Sequence, residues 1–342
     1  LFISEKNRNI ASLRKVKTIK MKHLVTFLFC LLAFHLPLKA ISDNSDTLMV
    51  AKDGSGQYQT LGEALENCRV LMDYHKVIFL KKGIYKEKVI IPSGLQHIEI
   101  VGEDADSTII TGSDYANLFL PGTTTKMGTF RTYTLRIDGN HITLRNLTIE
   151  NNAPQLGQAV ALHTEGDYIQ CIHCRLIGNQ DTVYTGRAGS LLYFLDCYIE
   201  GTTDFIFGSA TAWFENCEIH SKANSYITAA STPKESPFGY VFNHCRLTAS
   251  EGITKVFLGR PWRPYSATIY MNCIMDRHIC PGGWDNWRNK ENEKTARYAE
   301  YNNSGEGSRT DKRVAWCRQL TKKEAQGVTI KNVFTTSHCW TW

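Results

Sequence analysis

The sequence has no apolar run long enough to cross a bilayer: the longest, residues 24–36, falls short of the roughly 18 to 20 residues a spanning helix needs. A multi-span membrane protein is excluded. No Gly-x-Ser-x-Gly occurs, which disfavours a serine hydrolase that carries its nucleophile on a sharp strand-to-helix turn. Cys171 and Cys174 form a Cys-x-x-Cys, but no second one follows at zinc-ribbon distance, so a metal site is disfavoured. In a strand, residues three apart point to opposite faces, which also argues against pairing these two. Proline is scarce, with 9 residues against 25 glycines. Together with many Thr, Ile, Val, Tyr and Phe, this favours strands joined by tight turns over helix bundles.

An excess of charge is also missing once its location is considered. The formal charge is +6. Residues 1–40 hold eight of the 39 Lys and Arg and one of the 33 Asp and Glu, leaving 31 basic and 32 acidic residues, a net charge of −1. Nothing global then draws the protein to nucleic acid. From Met21, basic Lys22 and His23 precede the apolar stretch 24–36, and small Ala40 follows, the pattern of a cleaved signal peptide. Residues 1–20 read as an upstream extension and 41–47 as a short linker. The product is expected to be exported, secreted or periplasmic, without a membrane span, and monomeric.

What is present is a repeat. Cys174-Arg175-Leu176, Cys197-Tyr198-Ile199, Cys217-Glu218-Ile219, Cys245-Arg246-Leu247 and Cys273-Ile274-Met275 recur at intervals of 23, 20, 28 and 28 residues. Phe194, Phe214, Phe242 and Tyr270 stand three residues before the last four cysteines. Units of this length with period-two alternation mark a β-solenoid, in which each coil buries its apolar edge on the next. The expected fold is all-β, a right-handed parallel β-helix over residues 48–342, with the cysteines stacked inward. Residues 60–72 carry a helical pattern suited to capping the first coil. The segment from Trp284 onward departs from the repeat and is expected to pack outside. Cys317 and Cys339 are candidates for bridging, with connectivity open.

The repeat also serves as a ruler. Asp181 and Asp204 each stand seven residues after their cysteine, while the next two coils have Asn224 and Gly252 there. Adjacent strands lie about 4.7–4.9 Å apart, so equal offsets place the two carboxylates about 5 Å from each other. Taken singly, each aspartate reads as a turn residue. As a pair they cannot comfortably both ionise, so one becomes an acid and the other a nucleophile or base. Gln180 precedes Asp181, and Gln158 lies one coil earlier; neutral amide donors beside carboxylates suit a developing oxyanion. A carboxylate pair at this spacing also fits a retaining glycosidase, although amide donors do not suit a positive transition state. A catalytically silent carbohydrate-binding β-helix is the third reading. A lyase would usually need Ca2+, and no suitable acidic cluster is evident.

Five ordered motifs carry a resemblance: Gly83-Ile84-Tyr85-Lys86-Glu87, Gln158-Ala159-Val160-Ala161-Leu162, Gly178-Asn179-Gln180-Asp181-Thr182, residues 201–208 with Asp204 and Phe205, and Leu258-Gly259-Arg260-Pro261-Trp262. Asp53-Gly54-Ser55-Gly56, residues 300–307 and Arg313-Val314-Ala315-Trp316 add to it. Over residues 48–316 the chain resembles the pectin methylesterase family. The resemblance implies a parallel β-helix without metal or cofactor, acting on methylated galacturonate units of pectin and releasing methanol. It makes Asp204 the nucleophile, Asp181 the acid and base, and Gln158 and Gln180 the oxyanion holders. Arg260 would keep Asp204 ionised and aimed, and Trp262 would face a sugar ring. Tyr184, Phe205 and Arg263 are further candidates for substrate contact. The family also includes thioesterase-like members, so the acyl group is a separate question.

Overall fold

The computed structural model describes residues 47–71 and 74–334. The expected signal peptide and upstream extension, the linker up to residue 46, and Cys339 lie outside the described residues. Among the described residues the strands form three parallel sheets of eleven, eight and seven strands. Seven coils contribute one strand to each sheet in turn, incomplete coils at the two ends lengthen the larger sheets, and each inner strand pairs with its counterpart in the coils before and after. The fold is a right-handed parallel β-helix. No helix among the described residues is long and apolar enough to cross a membrane.

From strand Ile142–Arg145 onward, each coil leaves the eleven-stranded sheet on one left-handed residue. Asn146, His173, Asp196, Asn216, His244, Asn272 and Asn302 all have φ between 50° and 55° there. Asn, Asp and His tolerate this region better than other side chains, which explains their recurrence at this point of the repeat. The residue that follows points inward. Cys174, Cys197, Cys217, Cys245 and Cys273 thus form an interior column, each 2% exposed or less. Their thiols donate to backbone carbonyls, for example from Cys217 to Phe194 and from Cys245 to Phe214. The left-handed His173 also resets the alternation, so Cys171 and Cys174 both face the core instead of opposite faces. All described cysteines, Cys317 included, are free thiols.

Phe194, Phe214, Phe242 and Tyr270 stack face to face at 4.6, 4.3 and 4.4 Å between successive ring centroids. Each buried ring contributes about 1.5–3 kcal/mol through burial, and stacking adds about 0.5–1.5 kcal/mol per pair. A single Phe→Ala change in this column would open a void spanning two coils.

The ends of the solenoid are closed differently. At the N-terminal end the capping helix covers only Leu61–Glu66, shorter than the pattern over residues 60–72 implies. Thr60 and Glu63 form a capping box, and Asn67 ends the helix after less than two turns. Leu61, Ala64 and Leu65 bury its inner face against the first coil. The Glu87 carboxylate accepts from the N–H groups of Leu61 and Gly62, so this motif residue ties the cap to the solenoid. The C-terminal segment corrects the expectation of an outer tail. Trp284 is 1% exposed and stacks on Tyr298 at 4.2 Å, inside the core. Strands Arg297–Tyr301 and Arg318–Gln319 extend the eleven-stranded sheet. The reason is that an apolar coil end needs a lid, and the two indole and phenol rings supply it. The last two short helices, Lys322–Gln326 and Ile330–Val333, pack outside, where Val328, Val333 and Phe334 meet Tyr193, Trp213 and Val241 on the outer face.

Candidate active site

Asp181 and Asp204 sit where the chain turns from the eight-stranded to the seven-stranded sheet. Both are left-handed, with φ of 68° and 50°. The turn role and a chemical role therefore coincide, because an aspartate accepts this backbone while its carboxylate is aimed out of the corner. Strand pairing shows why the two stack. Arg175 pairs with Tyr198 before the corner and Val183 with Ile206 after it, a shift of 23 residues on both sides. The Asp181 N–H donates to the Thr203 carbonyl at 3.1 Å, and the Val183 N–H to that of Phe205 at 2.9 Å. Asp181 and Asp204 are thus register neighbours one strand spacing apart.

The shift is not constant elsewhere. On the following coil Tyr198 pairs with Glu218 but Ile206 with Thr228, shifts of 20 and 22, so this corner is two residues longer. The register neighbour of Asp204 is consequently Tyr226, not the Asn224 that counting from the cysteine gives. Likewise Leu162 pairs with Val183, but the N–H groups of Ala161 and Leu162 both donate to the Thr182 carbonyl and that of Ala159 to the Gln180 carbonyl, so one extra residue in the earlier coil brings Gln158 and Ala159 under Gln180 and Asp181.

A cleft of about 290 Å³ opens over this corner. Gln158, Gln180, Asp181, Asp204, Arg260 and Trp262 all line it. Arg260 grips Asp204 with both arms of its fork, Nε to Oδ1 at 2.9 Å and Nη2 to Oδ2 at 2.6 Å. The arginine belongs to the segment after strand Phe257–Gly259, two strands beyond that of Asp204, and its long side chain reaches back over Tyr226. Its guanidinium lies 3.9 Å from the Tyr226 ring centroid and 3.7 Å from that of Trp287. Flanked by two aromatic faces, it is held by cation–π attraction as well as by its carboxylate. Among the described residues the side-chain amides of Gln158 and Gln180 have no protein hydrogen-bond partner, so their donors are available to a ligand.

The two carboxyls differ electrostatically. Burial pushes Asp181 well above the usual carboxylate range, and the neighbouring charge of Asp204 adds to this. Burial also raises Asp204, but the bonds from Arg260 pull it back. Asp181 has no bond of that kind and is the one that keeps its proton.

Of the remaining expected contacts, Phe205 is corrected: it is 0% exposed within the interior core, and Phe207 takes the cleft wall. The left-handed Asp204 resets the strand, so Phe205 and Ile206 both turn inward and Phe207 outward. Tyr184 lies beside Phe207 at 4.7 Å and supports the wall from behind. Arg263 lies over the outer side of the Trp262 ring at 4.8 Å and does not line the cleft. Sequence reasoning missed Thr129, Phe130, Tyr226 and Trp287. The first two come from a loop outside the repeat, and Trp287 from the segment read as an outer tail; only its aromatic character marked it. Among the described residues no group of three or more His, Cys, Asp or Glu converges as a metal site would require.

Comparison with known proteins places the chain in a family. Residues 47–337 match the pectinesterase family. The chain is 36% identical to Pectinesterase 31 of Arabidopsis thaliana over 281 residues, 81% of this chain and 88% of the relative. It spans half the length of longer relatives such as probable pectinesterase/pectinesterase inhibitor 23 of the same plant, at 37% identity over 81% of this chain and 50% of the relative. Among solved structures it resembles pectin methylesterase from carrot, with a TM-score of 0.77 and 32% identity over 84% of this chain and 92% of that one. A pectin methylesterase in complex with a hexasaccharide superposes with a TM-score of 0.73 and 26% identity over 84% and 96%. The chain belongs to the pectinesterase family.

Proposed function

We propose that this protein removes methyl esters from the galacturonate units of pectin, with Asp204 as nucleophile and Asp181 as acid and base. The observation that carries the assignment is the stacked carboxylate pair of which only Asp204 is gripped by an arginine. An Asp204 oxygen attacks the ester carbonyl carbon, and the carbonyl electrons move to oxygen. The Gln158 and Gln180 amides stabilise that oxyanion. As the intermediate collapses, the protonated Asp181 gives its proton to the departing methoxide, and methanol leaves. The acyl group is then held by Asp204 as an anhydride. Asp181, now ionised, takes a proton from water; the hydroxyl attacks the acyl carbon, releasing the galacturonate acid and free Asp204. Arg260 keeps Asp204 anionic before attack and favours it as the leaving group in the second half. Trp262, Phe207, Phe130 and Trp287 give a sugar ring apolar walls. The protein is exported, a reading supported by the leader-like pattern of residues 21–40.

Asp204→Ala tests this. Methanol release from highly methylated pectin is expected to fall at least about 10^4-fold, with the circular dichroism spectrum of the folded chain unchanged. Retained methanol release, or reducing ends appearing in place of methanol, overturns the assignment.

A further inference from the structure

The catalytic cleft, at about 290 Å³, is near the lower limit for a site enclosing one small ligand. A polymer must therefore rest most of its units on surface outside it. A second cleft of about 380 Å³ lies at the same kind of corner, toward the N-terminal end of the solenoid. Lys86, Glu87 and Lys88 line it from the first coil, Asp114 and Tyr133 from the second, and Asn152 from the third. The two clefts share a wall: Thr129 and Phe130 face the catalytic one, and Tyr133, a few residues on, faces the other.

The charges in this second cleft are mostly consumed. The Glu87 carboxylate is occupied by the N–H groups of Leu61 and Gly62, both at 3.1 Å. Lys88 donates to Asp114 at 2.6 Å and to the Arg131 carbonyl, and lies 4.9 Å from the Tyr133 ring centroid. Lys86, exposed at the end of strand Gly83–Lys86, has no ion-pair or hydrogen-bond partner among the described residues. Among the described residues the one uncommitted charge of the cleft is therefore positive, with the Tyr133 ring and the Asn152 amide also lining it.

We infer that this second cleft is a remote subsite for a free carboxylate of the polymer, a galacturonate unit already de-esterified, with Lys86 as its cation. The inference rests on the reaction proposed above, because it takes the same polymer as ligand. It makes Lys86 a specificity residue: a chain carrying acid groups some units away from the reacting ester binds better than one fully methylated. An exposed pair of this kind is screened by salt.

The test compares kcat/KM for methanol release from long homogalacturonan, fully methylated and half de-esterified, at low salt. Wild type is expected to favour the half de-esterified chain. Lys86→Gln should lower that preference about two- to fivefold through KM, Lys86→Glu more, and Lys86→Arg should restore it. Salt at about 0.5 M should remove the preference. An equal preference in wild type and Lys86→Glu overturns the inference. Calorimetric binding of a galacturonate hexamer needs no turnover: weaker binding to Lys86→Glu supports the subsite, and equal binding overturns it. Were wild type to release no methanol from either polymer, the reaction would fall, while hexamer binding would still decide the subsite.

Discussion

Among the described residues two arginines grip a carboxylate with the same fork, and one of the pairs faces a cleft. Arg260 bonds Asp204 at 2.9 and 2.6 Å, and Arg313 bonds Glu300 at 2.8 and 3.1 Å. The surroundings separate them. Glu300 also accepts from the Trp284 indole N–H at 3.1 Å and from the Cys317 thiol. The other N–H groups of Arg313 go to the carbonyls of Cys280, Pro281 and Gly307. With side chains 3% and 1% exposed, this pair is sealed into the closure of the C-terminal coil. Asp204, by contrast, accepts from no side chain but Arg260 among the described residues, and Arg260 is flanked by ring faces that make no strong hydrogen bond. A lone pair is left toward the cleft. A saturated pair holds the fold, and an unsaturated one can act on a ligand.

The largest effect that would break this contrast is on stability. Arg313→Met leaves Glu300 buried and unpaired and is expected to cost about 3–5 kcal/mol in urea unfolding, with methanol release per folded molecule retained. Lost turnover without lost stability would make the C-terminal pair part of the chemistry. Next, Trp287→Ala strips one ring from Arg260 while leaving the fork intact. Turnover is expected to fall about tenfold, the worth of one well-placed cation–π contact, with melting nearly unmoved; equal turnover would show that Tyr226 and Asp204 suffice to hold the guanidinium. The smallest effect concerns Asp181. Its pKa is higher in the folded than in the unfolded chain, so ionising it costs stability. That cost is absent below the unfolded value of about 3.9 and grows as pH rises toward the folded value. Asp181→Asn is therefore expected to unfold at slightly higher urea than wild type at pH 7 and at the same urea near pH 3. A less stable variant at pH 7 would mean that the carboxylate is satisfied rather than strained.

Much of the site was legible because Asp181 and Asp204 lie on the one pair of coils whose shifts are equal before and after the corner. Counting from the cysteines then works. It fails one coil later, where two added corner residues put Tyr226 rather than Asn224 beside Asp204. It also fails for Phe205, since a left-handed residue interrupts the alternation on which inward and outward assignments depend. Counting along the repeat leaves Trp284 and Trp287 in an outer tail, because they follow its last cysteine. One of them closes the core and the other covers Arg260.

The sequence by itself determined the solenoid, its interior columns and the stacked aspartates, because a repeat writes vertical neighbours at constant spacing along the chain. Only the tertiary structure decided which aromatics enclose Arg260, which tryptophan closes the C-terminal coil, and which cleft carries an uncommitted lysine. Those contacts join segments outside the repeat, or separated by corners of unequal length, where no constant spacing records who meets whom.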